Sequence, residues 1–148
     1  MPRQLVKARV MPAHIERADS LRHCWSYHAP DGPYPTRNLV LASALTKGLR
    51  WFDLQVVCGV IPDVALPSSC LTRHYPRVRF DRSLLAFADR LRGPLYELRC
   101  QSVELASIPS VTYPSRAYVL YRSLQVGLDE VARLYPRLST MPQTLQAL

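Results

Sequence analysis

The sequence predicts an α+β fold, in which a mixed or antiparallel sheet carries helices packed on one face. Its 148 residues are 48% hydrophobic and 20% charged, the composition of a globular protein, and we expect one domain over residues 1–148. Segments with apolar residues every three or four positions alternate with segments in which every second residue is apolar. Together these patterns predict the element order ααββαββαα.

The first two elements are predicted helices. Residues 12–28 begin with a proline that suits a first helical turn, and one face of this segment is apolar (Ile15, Ala18, Leu21 and Trp25). A turn-rich stretch follows over residues 29–35. Thr36 or Asn38 can cap a second helix, which we expect to end near Leu45, with Gly48 beyond its end.

A change to two-residue periodicity then predicts strands. Apolar residues alternate with polar ones over residues 51–61. A shorter strand is predicted over residues 77–80, where Arg77 and Arg79 point away from the apolar Val78 and Phe80.

The same two patterns continue in the second half of the chain. Asp81 is expected to cap a helix over residues 81–92 that Gly93 ends. Residues 95–105 alternate again and predict a strand with Arg99 on its polar face, and residues 110–113 predict a neighbouring strand.

A long helix is predicted over residues 116–135, with Ser115 as its cap. Its apolar residues alternate in steps of four and three, like those of a coiled coil (Ala117, Tyr121, Leu124, Leu128, Val131, Tyr135 and Leu138). Such a seam suits packing on the sheet or contact with a second copy. Residues 141–148 are consistent with a final short helix.

Charge gives the first indication of function. The chain carries a net charge of +8, and all but two of its 19 basic residues are arginine. A planar guanidinium binds two phosphate oxygens at once. A GC-rich or overprinted coding frame produces the same composition, but the excess of charge favours a polyanionic partner, most commonly nucleic acid.

Four arginines make up the main candidate site. Arg77 and Arg79 share one strand face, and Arg99 lies on the polar face of another predicted strand. If these strands share a sheet, one sheet face carries guanidinium groups that suit a phosphate backbone. Arg82 lies in the first turn of a predicted helix, where free backbone N–H groups and the helix dipole favour a docked anion.

Four further side chains complete the expected RNA-binding set. Ser110 and Thr112 alternate on one strand face, where their hydroxyl groups can donate to phosphate or ribose oxygens. Trp25 and Trp51 can stack on exposed bases. The simpler alternatives are polar residues on an outer face and tryptophans that belong to the core.

Other functional classes have weaker support. The sequence contains none of the common nucleotide-binding, metalloprotease or hydrolase motifs, so we expect neither an enzyme nor a cofactor. Two C-x3-H pairs, Cys24 with His28 and Cys70 with His74, leave a Cys2His2 zinc site as an alternative. The four cysteines show no close pairing, which favours a reducing compartment.

No apolar run reaches the roughly 18 residues that a membrane-spanning helix needs. The first residues also lack the apolar core of a signal peptide. We therefore expect no membrane partner.

The element order and three local stretches resemble a known family, the nineteen-kilodalton RNA silencing suppressors of tombusviruses and their shorter aureusvirus relatives. The stretches are residues 78–91, 95–99 and 115–136. The resemblance implies a homodimer whose sheets join into one concave surface that holds short duplex RNA by its backbone. It also implies that Arg79, Arg82 and Arg99 contact RNA, with Ser110 and Thr112 on the neighbouring strand.

Together with the charge and the strand arginines, the resemblance implies a plant-virus suppressor of RNA silencing that sequesters small interfering RNA in the host cytoplasm, without reading its sequence. The expected partners are short duplex RNA and a second copy of the chain, with no small-molecule substrate. The alternative is a non-enzymatic protein-interaction module, or the small zinc protein described above.

Overall fold

The structure, a computed structural model, describes residues 4–61, 75–106 and 113–137. Four helices and one two-stranded antiparallel sheet occupy these ranges, so the α+β class is confirmed. In chain order the elements are β1 (Leu5–Arg9), α1 (Pro12–His28), α2 (Arg37–Val57), β2 (Arg77–Asp81), α3 (Arg82–Ala106) and α4 (Arg116–Leu134).

Strands β1 and β2 form a short ribbon that packs against the helices. Their register places Val6 opposite Phe80 and Ala8 opposite Val78. Val78 and Phe80 are buried, while Val6 and Ala8 pack on the edge of the same core. Because side chains alternate along a strand, the other face of the ribbon points away from the core.

Helices α2 and α4 cross so closely that their backbones touch. A Cβ atom on Gly48 would lie 1.7 Å from the carbonyl oxygen of Ser123, and one on Gly127 would lie 1.7 Å from that of Ala44. Small residues four apart on both helices therefore permit the contact. The core is built around this crossing, with Leu41, Leu45, Leu124 and Leu128 fully buried.

The strand predicted over residues 51–61 is wrong, because α2 continues to Val57. The buried residues Leu41, Leu45, Leu49 and Phe52 follow a helical spacing through this region. Gly48 does not end the helix. It lies in its interior, where α4 requires a residue without a side chain.

The strand predicted over residues 95–105 is also wrong, because α3 runs from Arg82 to Ala106 through Pro94. A proline inside a helix removes one backbone hydrogen bond. Leu91 and Leu95 lie four residues apart and are both buried, so the core retains the helical conformation across the proline. The expected order ααββαββαα is therefore corrected at both segments. The strand predicted over 110–113 lies outside the described residues except for Tyr113.

Several local predictions are confirmed. Helix α1 has the predicted bounds, and β2 includes the predicted residues 77–80. The hydroxyl of Thr36 accepts the backbone N–H of Leu39, and that of Ser115 accepts the N–H of Tyr118, as expected of helix caps.

The predicted seam of α4 packs inside the chain. Its members Leu124, Leu128 and Val131 are buried, whereas Ala117 is exposed. The principal partner of α4 is α2. The seam therefore packs on a helix rather than on a sheet.

Across the described ranges, the structure contains no helix that is long and apolar enough to cross a membrane.

Candidate nucleic-acid interface

The outward face of the ribbon carries four basic side chains, Lys7, Arg9, Arg77 and Arg79. The register places Lys7 opposite Arg79 and Arg9 opposite Arg77. Directly opposed residues have their Cβ atoms about 5 Å apart, and residues two apart on one strand lie about 7 Å apart. All four are exposed. We call this set the cationic ribbon face.

Like charges directly opposite each other destabilise a two-stranded sheet. Within the described part of the chain, no carboxylate forms an ion pair with Lys7, Arg77 or Arg79. Between Lys7 and Arg79, the repulsion is therefore not offset by an ion pair with a carboxylate of the described residues. An anion bound across both strands would relieve it.

Three arginines on the helices are placed differently, because each pairs with a carboxylate of a neighbouring helix. The shortest contacts between guanidinium nitrogen and carboxylate oxygen are 2.6 Å for Arg17 with Asp129, 2.7 Å for Arg37 with Asp19, and 2.6 Å for Arg116 with Asp89. Hydrogen bonds from Arg37 and Arg116 lower the pKa of Asp19 and of Asp89, so both carboxylates stay ionised. These arginines join helices to one another.

Arg82 directly follows β2 at one end of the ribbon, where it lines a surface pocket with Val6, Asp89 and Arg116. Its Nη1 donates to Oε1 of Gln4 over 2.8 Å, and its backbone N–H donates to the carbonyl of Gln4 over 2.9 Å. The next backbone N–H, that of Ser83, donates to Asp81. The sequence predicted free N–H groups at this helix start, but two of them are already bonded. An anion here would be held by the Arg82 guanidinium.

Arg99 does not lie on a strand. It is on α3, seventeen residues after Arg82, which corresponds to about 25 Å along the helix. Its guanidinium carbon lies 4.9 Å from the ring centroid of Tyr118. The predicted surface shared by Arg79, Arg82 and Arg99 is therefore corrected. Arg79 lies on the cationic ribbon face, Arg82 lies beside Val6 of the other ribbon face, and Arg99 lies on α3.

The two tryptophans are partly buried and pack against the core. Trp25 stacks on Tyr135, with ring centroids 5.0 Å apart and ring planes 23° apart. Trp51 lies within α2 rather than at the start of a strand, and the guanidinium carbon of Arg122 is 4.9 Å from its ring centroid. Each ring therefore already has a stacking partner within the protein.

The remaining predicted site residues, Ser110 and Thr112, lie outside the described residues, as do Cys70 and His74 of the zinc alternative. Nε2 of His28 donates to the carbonyl of Pro136 over 2.8 Å, so this nitrogen is engaged. Nowhere in residues 4–61, 75–106 and 113–137 do three or more potential metal ligands of the His, Cys, Asp or Glu type cluster.

Sequence reasoning missed Lys7 and Arg9, because it missed β1. A signal was present in residues 5–10, where Leu5, Lys7 and Arg9 alternate with apolar residues as in a half-buried strand. With β1 in place, the cationic face doubles from two strand residues to four.

Comparisons with known proteins identify no relative. No family model matches the chain, and neither the curated proteins nor the solved structures include a match.

Proposed function

We propose that this protein binds short duplex RNA by its phosphate backbone through the cationic ribbon face and Arg82. The observation that carries the proposal is the register that places two like-charged residues, Lys7 and Arg79, directly opposite each other on the exposed face of the ribbon. Like charges placed opposite each other lower the stability of the free protein. The same charges attract a polyanion that spans both strands, because each of them can contact a phosphate.

Backbone contacts of this kind do not read base sequence, so binding is stoichiometric and sequence-independent, without catalytic turnover. Each neutralised phosphate releases counterions. If five cations each contact a phosphate, the logarithm of the affinity falls by about 4.5 for each tenfold rise in salt. Between 50 mM and 200 mM salt, that slope corresponds to a loss of about 500-fold.

The choice of RNA rests on the resemblance noted for residues 78–91, which implies RNA contacts for Arg79 and Arg82. A preference for A-form duplexes would follow from their groove shape and 2′-hydroxyl groups. The same resemblance suggests a homodimer whose two sheets join, which would double the number of cations on one surface. Sequestration of small interfering RNA in the host cytoplasm, and hence suppression of silencing, is the biological role that we propose.

The direct test measures affinity for a 21-base-pair RNA duplex, and for single-stranded RNA and duplex DNA of the same length. We expect tightest binding to duplex RNA and a steep loss with salt. Replacement of Arg77 and Arg79 by glutamine should weaken duplex binding at least tenfold, because two phosphate contacts disappear.

The matched control removes two exposed arginines on helices, Arg50→Gln with Arg90→Gln, so that the net charge falls by the same amount. Its affinity should stay within about threefold of the parent. Equal losses in both double variants would show that net charge alone drives binding. No binding to any of the three nucleic acids would refute the function.

A further inference from the structure

A second surface lies on the helices, apart from the ribbon strands. A trough of about 380 Å³ runs between α2 and α4, lined by Lys47, Arg50, Trp51, Leu54, Val126 and Glu130. The four α2 residues are spaced as neighbours on one helix face, and Val126 and Glu130 lie four apart on α4. We call this feature the α2–α4 trough.

The floor of the trough is apolar, and the apolar surface continues beyond it. Leu54 is 58% exposed, and Val57 and Val60, further along the chain, are 77% and 49% exposed. Aliphatic side chains this open to water favour contact with another protein. Trp51, covered on one side by Arg122, is of the residue type that contributes most in protein interfaces.

The rim of the trough is positive. Lys47 and Arg50 line it, and the guanidinium of Arg122 lies over Trp51. The carboxylate of Glu130 forms an ion pair with Arg133 and also interacts with the charge of Lys47. The pKa of Glu130 is lowered by the hydrogen bond from Arg133, so this pair remains ionised. The charge that complements this rim is therefore negative. A second copy of this chain, at a net charge of +8, fits poorly.

We infer that the α2–α4 trough is a docking site for an acidic amphipathic helix of a partner protein. Its apolar stripe would lie on Trp51, Leu54 and Val126, and its carboxylates would face Lys47 and Arg50. A helix that lies in a groove between two helices is a common mode of peptide recognition. This function is independent of duplex RNA binding, because none of these residues belongs to the ribbon.

A displayed library of random 16-residue peptides, selected on the full chain, tests the inference. Acidic peptides also bind the cationic ribbon face, so the library is first depleted on a Leu54→Glu variant, which retains that face and repels acidic peptides from the trough. The surviving peptides should carry net negative charge and apolar residues spaced three and four apart. If no peptide survives, or if the survivors lack acidic residues, the inference is wrong.

Fluorescence anisotropy with one synthesised peptide then measures the contribution of each helix. Val126→Glu, on α4, and Arg50→Glu, an exposed position on α2, should each weaken binding at least tenfold. The matched control is Leu39→Glu, which alters a leucine of similar exposure (46%) about 22 Å along α2 from Leu54. It should change the affinity by less than twofold. Unchanged binding to the α2 and α4 variants would overturn the site.

The same assay tests whether the trough binds single-stranded nucleic acid instead of a peptide. If an eight-nucleotide single-stranded RNA displaces the peptide and itself loses affinity for Val126→Glu, the trough is a nucleic-acid subsite and the inference is wrong. Affinity of Leu54→Glu for duplex RNA should stay within about twofold of the parent, so that failure of this inference is distinguishable from failure of the RNA-binding proposal. Circular dichroism checks that each variant is folded.

Discussion

Addition of one methyl group at the α2–α4 crossing should destabilise the protein severely. In an exposed helix interior, Gly→Ala stabilises a protein by about 1 kcal/mol, because glycine has poor helix propensity. In Gly127→Ala, however, the new Cβ would lie 1.7 Å from the carbonyl oxygen of Ala44, whereas ordinary contacts begin at 3.4 Å. The obstacle is backbone, so no side-chain rotation relieves it, and the helices must separate.

The size of the stability loss follows from the distance by which the two helices must move apart, which is about 1.5–2 Å. A gap of 1 Å already forfeits up to half of the dispersion energy of the contacts across it, and overpacking typically costs 1–3 kcal/mol. We expect Gly127→Ala to lose about 3 kcal/mol or more. For a chain of this size, that loss lowers the Tm by about 10 °C.

Urea denaturation followed by far-UV circular dichroism measures the loss. Gly32→Ala is the control, because its nearest non-neighbouring atom would be 3.8 Å away, and it should change stability by less than about 1 kcal/mol. Gly48→Ala affects the same crossing from the other helix, because its new Cβ would lie 1.7 Å from the carbonyl oxygen of Ser123. The double variant should therefore cost less than the sum of the two single variants. A higher Tm for Gly127→Ala, or strictly additive losses, would contradict the close crossing.

Two further predictions concern charge. Arg79→Glu should raise the free energy of unfolding by up to about 1 kcal/mol, because it replaces the like-charged pair with Lys7 by a pair of opposite charge. The same variant should lose duplex RNA binding. A variant that is less stable than the parent and still binds RNA fully would contradict the proposed interface. Burial lowers the pKa of His14 from 6.5 to about 4, so the unfolded chain binds a proton more readily and stability should fall by about 3 kcal/mol as pH drops from 6.5 to 4. Denaturation across that range should show this loss in the parent and a smaller one in His14→Leu.

The sequence predicted those features that depend on neighbouring residues. A hydroxyl cap such as Ser115 acts within three residues, and the alternation around Arg77 and Arg79 acts within one strand. These short-range signals located both the start of α4 and half of the cationic ribbon face.

The errors arose where tertiary contacts decide the outcome. Gly48 is a helix terminator by local rules, yet its lack of a side chain serves the contact with α4. The Gly93–Pro94 pair likewise predicts a helix end, but burial of Leu91 and Leu95 retains the helix. Neither contact can be read from a local window, because its partner lies elsewhere in the chain.

The carboxylates that pair with arginine are distributed unevenly between the helices and the ribbon. An overprinted frame raises the number of arginines wherever they fall in the fold, and it does not assign them partners. Here Asp19, Asp89 and Asp129 pair with arginines of neighbouring helices. The ribbon contains one carboxylate, Asp81, which accepts hydrogen bonds from Ser83. On the outward face of the ribbon, positive charge on one strand lies opposite positive charge on the other. Such opposition costs stability in the free protein, and the polyanion proposed above would offset that cost by binding.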